Sequence, residues 1–121
     1  MIKAIKFASI PVKDQDKSLE FYTKKLGFKV FTDAPFDGKQ RWIELGIPRA
    51  ETKIVLFTAE GQEKMIGGFM NISFTTTDIE GTVAEMKANG VEFAQDLVKA
   101  DWGTMAIFKD IDGNRFVMSQ D

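Results

Sequence analysis

Residues 12–28 read VKDQDKSLEFYTKKLGF and contain the signals for one helix with both of its ends. Asp14 or Asp16 is a suitable N-cap, because a short side-chain oxygen can accept hydrogen bonds from the free N–H groups of a first helical turn. Gly27 supplies the C-terminal stop. The apolar positions between them have the spacing of one helix face: Leu19, Tyr22 and Leu26. The pattern predicts a helix over Ser18–Leu26.

Alternation of apolar and polar residues on both sides of this helix predicts strands. The predicted strands of the first half cover residues 3–12, 28–32, 41–45 and 53–58. A loop is expected over residues 33–39, which include a proline and a glycine. Residues 59–68 are polar and contain glycine, so they are predicted to connect this half to a second one.

The second half repeats the order of the first. Residues 77–93 read TDIEGTVAEMKANGVEF, with Asp78 placed 64 residues after Asp14 and Gly90 closing the helix as Gly27 does. Further strands are predicted over residues 70–75, 91–93, 104–108 and 115–118, the last two joined by a turn at residues 112–114. The repeat predicts an α+β fold of two tandem βαβββ modules, about residues 1–60 and 67–121, within a single domain of residues 1–121. Two ordinary α+β hairpin units with chance similarity are the alternative.

Composition excludes several classes of function. The 121 residues carry a net charge of -2, which gives no sign of a nucleic-acid partner, and no apolar run reaches the ~20 residues of a membrane helix. The N-terminus has no apolar signal segment, so a cytoplasmic location is expected. With no His and no Cys, a Ser-His-Asp or Cys-His mechanism cannot be built, and zinc or iron would have only weak ligands.

The ordered motifs resemble those of the vicinal oxygen chelate superfamily, which includes glyoxalase I, bleomycin resistance proteins and extradiol dioxygenases. Residues 18–28 match its opening pattern S-x-x-F-Y-x-x-x-L-G-F, and residues 77–91 resemble the start of its second module. Trp102-Gly103 and residues 108–114 resemble the closing W-G and F-x-D-P-D-G-N, with Ile111 in place of the proline. The resemblance implies a curved, cup-like mixed sheet with helices on its convex side, a small ligand in the cup, and a homodimer.

The family binds its metal ion through the first and fourth strands of each module. By resemblance, the corresponding positions here are Phe7, Leu56, Asn71 and Val117. Three are apolar and one is a neutral amide, whereas a divalent cation needs several charged or strongly dipolar donors. We therefore expect no metal and no other cofactor.

Strand alternation divides the side chains between two faces. Apolar sets such as Ile10 with Val12 should pack under the helices, and the opposite sets should line the concave face. Aromatic residues near loops could stack on a flat ligand. The side chains predicted to bind a ligand are Phe7, Ser9, Trp42, Glu44, Leu56, Asn71, Ser73, Thr75, Trp102, Arg115 and Val117. A sheet with one solvated face would show the same alternation.

These observations favour a metal-independent protein of the bleomycin-resistance type, which sequesters a small polar or aromatic molecule and has no nucleic-acid or membrane partner. The resemblance also includes lyases and dioxygenases, so whether the chain is an enzyme stays open. Glu44 is the candidate for a catalytic acid–base group, with a solvated strand residue as the simpler interpretation. A regulatory module without a pocket is the third hypothesis.

Overall fold

Each half of the chain runs strand, helix and three strands, and its four strands form one mixed sheet. The structure is a computed structural model that describes residues 1–120. The chain divides into two compact units, Met1–Ile66 and Gly67–Asp121. The predicted α+β class and the two βαβββ modules are therefore confirmed. The single domain and the shared cup stay predictions.

The sheet of the first unit has the strand order β1-β4-β3-β2. Its strands are β1 (Phe7–Ile10), β2 (Lys29–Pro35), β3 (Arg41–Gly46) and β4 (Lys53–Leu56). β1 and β4 are parallel, and the other neighbouring pairs are antiparallel. A short 3-10 turn over Glu63–Met65 follows β4.

Helix α1 (Gln15–Glu20) connects β1 to β2 and continues as a π-helical segment over Phe21–Lys25. Of the two predicted N-caps, the structure has Asp14, whose Oδ1 accepts a hydrogen bond from the backbone N of Lys17 at 3.1 Å. Gly27 has a φ of +76°, a left-handed conformation that favours glycine over other residues. The helix therefore ends where the sequence predicts.

The core of the first unit lies on one face of its sheet. Ala8 pairs with Ile54 and Ile10 pairs with Leu56 across the parallel strands, so these side chains share a face. Tyr22 from the helical segment is fully buried, and its ring centroid lies 5.1 Å from that of Phe21 and 5.8 Å from that of Phe28. The remaining core residues on this face are Ile43 and Leu45 on β3, and Val55 is fully buried on the opposite face of the sheet.

The second unit repeats this arrangement with the strand order β5-β8-β7-β6. Its elements are β5 (Phe69–Thr75), α2 (Ile79–Ala88), β6 (Phe93–Ala100), β7 (Gly103–Lys109) and β8 (Arg115–Gln120). Asp78 caps α2 by accepting from Gly81 N at 3.0 Å, and the helix lies against β7 and β8. The rings of Phe74, Phe108 and Phe116 form the centre of the core, with centroids 5.4–5.8 Å apart.

Several predicted boundaries are wrong, and strand pairing explains the largest errors. β2 continues to Pro35, inside the predicted loop, because Ala34 and Pro35 pair with β3. β6 begins at Phe93 and reaches Ala100 because β7 offers it a partner along this length, whereas only residues 91–93 were predicted. The first strand is shorter than the predicted residues 3–12, and α1 begins three residues before the predicted Ser18.

None of the helices within residues 1–120 combines the length and the apolar character of a membrane span.

Thr58 joins the ends of the two parallel strands of the first unit. Its buried Oγ1 accepts a hydrogen bond from Val12 N and donates one to Val12 O, both at 2.8 Å. We expect Thr58→Val to lower the free energy of unfolding by about 1–3 kcal/mol, because two buried backbone groups lose their partner while the shape is kept. Urea denaturation measures this.

Thr52→Val is the matched control. Its Oγ1 lies 3.4 Å from Ile5 O in an exposed hydrogen bond, so we expect a change within ~0.5 kcal/mol. Equal losses for the two variants would contradict the role assigned to Thr58.

Candidate ligand-binding site

The face of the first sheet opposite the core carries most of the predicted ligand-binding residues of this unit. Ser9 pairs with Val55, and Val55 pairs with Glu44, so the three side chains point to the same side. Phe7 and Trp42 lie two residues from Ser9 and Glu44 and therefore share this side. We call it the open face, defined by Phe7, Ser9, Trp42, Glu44 and Val55. The structure thus brings together four of the residues that the sequence predicted: Phe7, Ser9, Trp42 and Glu44.

Four aromatic rings meet on this face and form what we call the aromatic cluster: Phe7, Phe36, Trp42 and Phe57. Trp42 is at its centre, with ring centroids 5.3 Å from Phe7, 5.8 Å from Phe36 and 5.2 Å from Phe57. Phe36 and Phe57 also meet edge to face at 4.9 Å. Phe36 is 59% exposed. The cluster is therefore a packed aromatic surface with an accessible edge.

Glu44 is fixed at the border of the cluster. The indole Nε1 of Trp42 donates a hydrogen bond to Glu44 Oε1 at 2.8 Å. The carboxylate is half-buried, and it takes part in no ion pair within the part of the chain that the structure describes. The open face can therefore offer a ligand both ring surface and a strong hydrogen-bond acceptor.

The second unit has an equivalent open face, which is mainly polar. Ser73 pairs with Val117 and Thr75 pairs with Ser119, so these side chains share one side of the sheet. The side chains that the sequence assigned to this face have the expected positions: Asn71, Ser73, Thr75, Arg115 and Val117. All but Val117 are exposed. This face offers hydroxyl, amide and guanidinium groups.

The predicted position of Leu56 is wrong. Leu56 pairs with Ile10, is fully buried and belongs to the core face. Val55 occupies the open face instead, and its pairing with Ser9 matches the pairing of Val117 with Ser73 in the second unit. Phe57 was not among the predicted ligand-binding residues, although it contributes a ring to the cluster. Val55 and Phe57 alternate with Leu56, so the sequence offered both faces, and only the pairing with β1 decides between them.

Trp102, which was also predicted to bind a ligand, is not among the residues that define these faces, and neither is Arg41. Trp102 is in the turn between β6 and β7 and is 59% exposed. Arg41 on β3 forms ion pairs of 2.9 Å with Asp33 and Asp16. The hydrogen bonds that the guanidinium donates to Asp33 and Asp16 raise its pKa above the ordinary value. Arg41 is thus engaged within the first unit.

A polar groove of about 530 Å³ lies beside the start of α1. Gln15 closes one side of it, because its Nε2 donates to Arg41 O at 2.7 Å and to Leu56 O at 2.8 Å while its Oε1 accepts from Arg41 N at 2.9 Å. Gln40 is bonded in the same way to both backbone groups of Thr58. These side chains stabilise the loops, so the groove is a weaker candidate than the open face.

The residues at the family's metal positions do not fit a divalent cation. With the corrected register these positions are Phe7, Val55, Asn71 and Val117, which supply three hydrocarbon side chains and one amide. Within residues 1–120 no group of three or more acidic side chains is placed to hold a metal ion, and the chain has no His or Cys. Divalent ions require several oxygen, nitrogen or sulfur donors together.

Comparisons with known proteins agree with this fold. The family model described as Glyoxalase/Bleomycin resistance protein/Dioxygenase superfamily matches residues 4–118. The protein YetH of Bacillus subtilis (strain 168) is 38% identical over 123 residues, which cover 99% of this chain and 100% of YetH.

Two solved structures are also similar. One is a member of the glyoxalase/bleomycin resistance protein/dioxygenase superfamily from Sphaerobacter thermophilus DSM 20745, with a TM-score of 0.90 and 30% identity over 99% of this chain and 98% of the other. The other is TnmS3, an antibiotic binding protein from Streptomyces sp. CB03234, with a TM-score of 0.87 and 28% identity over 98% of this chain and 96% of TnmS3.

The environments of the two tryptophans provide a test of the site, because the chain contains only Trp42 and Trp102. Two variants each keep a single tryptophan: Trp102→Phe keeps Trp42, and Trp42→Phe keeps Trp102. We expect Trp42 to emit at a shorter wavelength than Trp102 and to be quenched less by acrylamide. The reason is that Trp42 is half-buried among rings whereas Trp102 is 59% exposed. Steady-state fluorescence measures both quantities.

A further substitution, Glu44→Ala in the Trp102→Phe background, should shift the emission of Trp42, since its indole N–H loses its acceptor. Glu20→Ala, on the exposed side of α1, should leave the emission unchanged. Equal quenching of the two tryptophans would contradict the described site.

Proposed function

The chain belongs to the glyoxalase/bleomycin resistance protein/dioxygenase superfamily, and on this basis we propose that it binds and sequesters a small polar or aromatic molecule without a metal ion. It is a protein of the glyoxalase/bleomycin-resistance type. Binding would take place on the open face and would require no chemical change of the ligand.

The observation that carries this proposal is the aromatic cluster beside Glu44. Flat molecules stack on ring surfaces, and aromatic pairs contribute ~0.5–1.5 kcal/mol beyond the area that they bury. The 59% exposed ring of Phe36 and the half-buried ring of Trp42 offer such a surface. Small-molecule sites combine apolar walls with a few polar groups that orient the ligand. Glu44 and Ser9 are such groups.

The chemistry of the side chains supports metal independence. The family's metal positions hold hydrocarbon at three of four places, so only the amide of Asn71 could ligate an ion there. TnmS3, to which the chain is similar, is described as an antibiotic binding protein. This description supports binding rather than turnover as the function proposed for this chain.

The proposal includes a cytoplasmic homodimer, as the family resemblance implies. Light scattering should then give a mass of twice the 13.6 kDa of one chain. The catalytic alternative depends on Glu44, whose carboxylate is positioned by Trp42. Turnover of a methylglyoxal–glutathione adduct or a catechol that Glu44→Gln abolishes would favour this alternative over sequestration.

Binding can be tested with antibiotics that contain fused or linked aromatic rings, with bleomycin among them. We expect at least one to bind to the purified protein in isothermal titration calorimetry. Phe36→Ala should weaken this binding by about tenfold, because a stacking surface worth ~1–1.5 kcal/mol is removed at an exposed position.

Trp102→Ala is the matched control, since it removes an equally exposed aromatic ring that lies outside the open face. No binding of any antibiotic in the panel, or equal weakening by the two variants, would contradict the proposed site.

Metal dependence can be tested by thermal unfolding. We expect Mn²⁺, Ni²⁺ and Zn²⁺ to leave the Tm unchanged, since the four family positions supply no charged donor. A bound antibiotic at 100 times its Kd should stabilise the protein by about 2.7 kcal/mol, with or without EDTA. A marked rise in Tm with any of these metal ions would contradict metal independence.

A further inference from the structure

We infer that the open face of the first sheet selects flat organic cations over neutral and anionic molecules of the same shape. The inference rests on the proposed function, because it assigns a charge to the ligand of that same site. It depends on three features: the carboxylate of Glu44, which forms no ion pair within the described residues, the ring surfaces beside it, and the position of Lys53.

The first feature is the charge of Glu44. Its side chain is half-buried, and Oε1 accepts the indole N–H of Trp42 at 2.8 Å. A neutral donor does not cancel the charge, and no Lys or Arg within residues 1–120 forms an ion pair with this carboxylate. A partly desolvated anion without a counterion is stabilised by an incoming cation.

The second feature is the aromatic cluster. The faces of aromatic rings carry partial negative charge and attract organic cations, most strongly at Trp. Trp42 both contributes such a face and orients Glu44, so the ring surface and the carboxylate are fixed relative to each other. A flat cation can stack on the cluster while its charge lies near the carboxylate.

The third feature is the position of Lys53. Lys53 pairs with Phe7, so its side chain lies on the same face of the sheet as Phe7 and Glu44. Its Nζ lies 4.5 Å from the centroid of the Phe31 ring and 3.4 Å from Glu51 O. The ammonium is therefore held at that ring and leaves Glu44 available. The first unit contains 12 basic and 9 acidic residues, so its net charge does not attract cations. The selectivity must come from groups on the open face.

Three two-ring probes of similar shape and different charge test this inference. They are 1-methylquinolinium, quinoline at pH 8, where it is neutral, and 1-naphthoate. We expect calorimetry with the wild-type protein to give the tightest binding for 1-methylquinolinium, weaker binding for quinoline and the weakest for 1-naphthoate. The comparison needs no variant, so it does not depend on whether a substituted protein folds.

Glu44→Gln then identifies the group responsible. The amide keeps an acceptor oxygen for Trp42 but loses the charge. It should weaken 1-methylquinolinium binding by about tenfold while quinoline binding stays unchanged. Glu20→Gln is the control, because it removes one negative charge from an exposed position on α1 of the same unit. It should leave the binding of all three probes unchanged.

The outcomes separate this inference from the proposed function. If quinoline binds as tightly as 1-methylquinolinium and Phe36→Ala weakens both, the aromatic site stands and the charge selectivity is overturned. If none of the three probes binds and no aromatic antibiotic binds either, the proposed function fails and the inference fails with it. If Glu20→Gln weakens the cation as much as Glu44→Gln, the effect is general electrostatics and the role of Glu44 is overturned.

Discussion

The parallel pairing of the first and fourth strands in each unit determines which side chains can form a site. Ser9 lies beside Val55, and Ser73 lies beside Val117. Side chains alternate between the two faces along a strand. Each pairing therefore determines, for all residues of the sheet, which side chains face the core and which lie on the open face. A shift of one residue in β4 would bring Leu56 to the open face and remove Phe57 from the aromatic cluster. The site therefore depends on a register that no single strand specifies.

Local sequence signals were sufficient to predict that the two helices exist and that the chain contains a repeat. Asp14 and Asp78 cap their helices, and Gly27 and Gly90 end them with positive φ, as their spacing in the sequence indicates. These interactions lie within a few residues of each other, so a single segment contains all the information. The prediction of two βαβββ modules needed only these signals and the alternation of the strands between them.

Contacts between distant segments could not be predicted in the same way. The face of Leu56 depends on its partner Ile10, which is separated from it by a helix and two other strands. Because Trp42 and Glu44 are two residues apart in a strand, the sequence predicted that their side chains lie on the same face of the sheet. Their hydrogen bond, however, depends on side-chain conformations within the cluster. The ring of Phe36 joins them from the end of β2. The length of β2 was underestimated because a proline and a glycine in residues 33–39 predict a loop.

Phe7 shows why a metal ligand and a ring of the aromatic cluster exclude each other at this one position. By family resemblance its position belongs to a metal ligand, yet its ring packs edge to face against Trp42 at 5.3 Å. Phe7 thus supplies a ring to the cluster at the position where the family has a metal ligand. Replacing it with a ligating residue would put a polar group against the rings, where it would be partly desolvated. Val55 and Val117 would still supply no donor, so one substitution would remove part of the aromatic surface without creating a metal site.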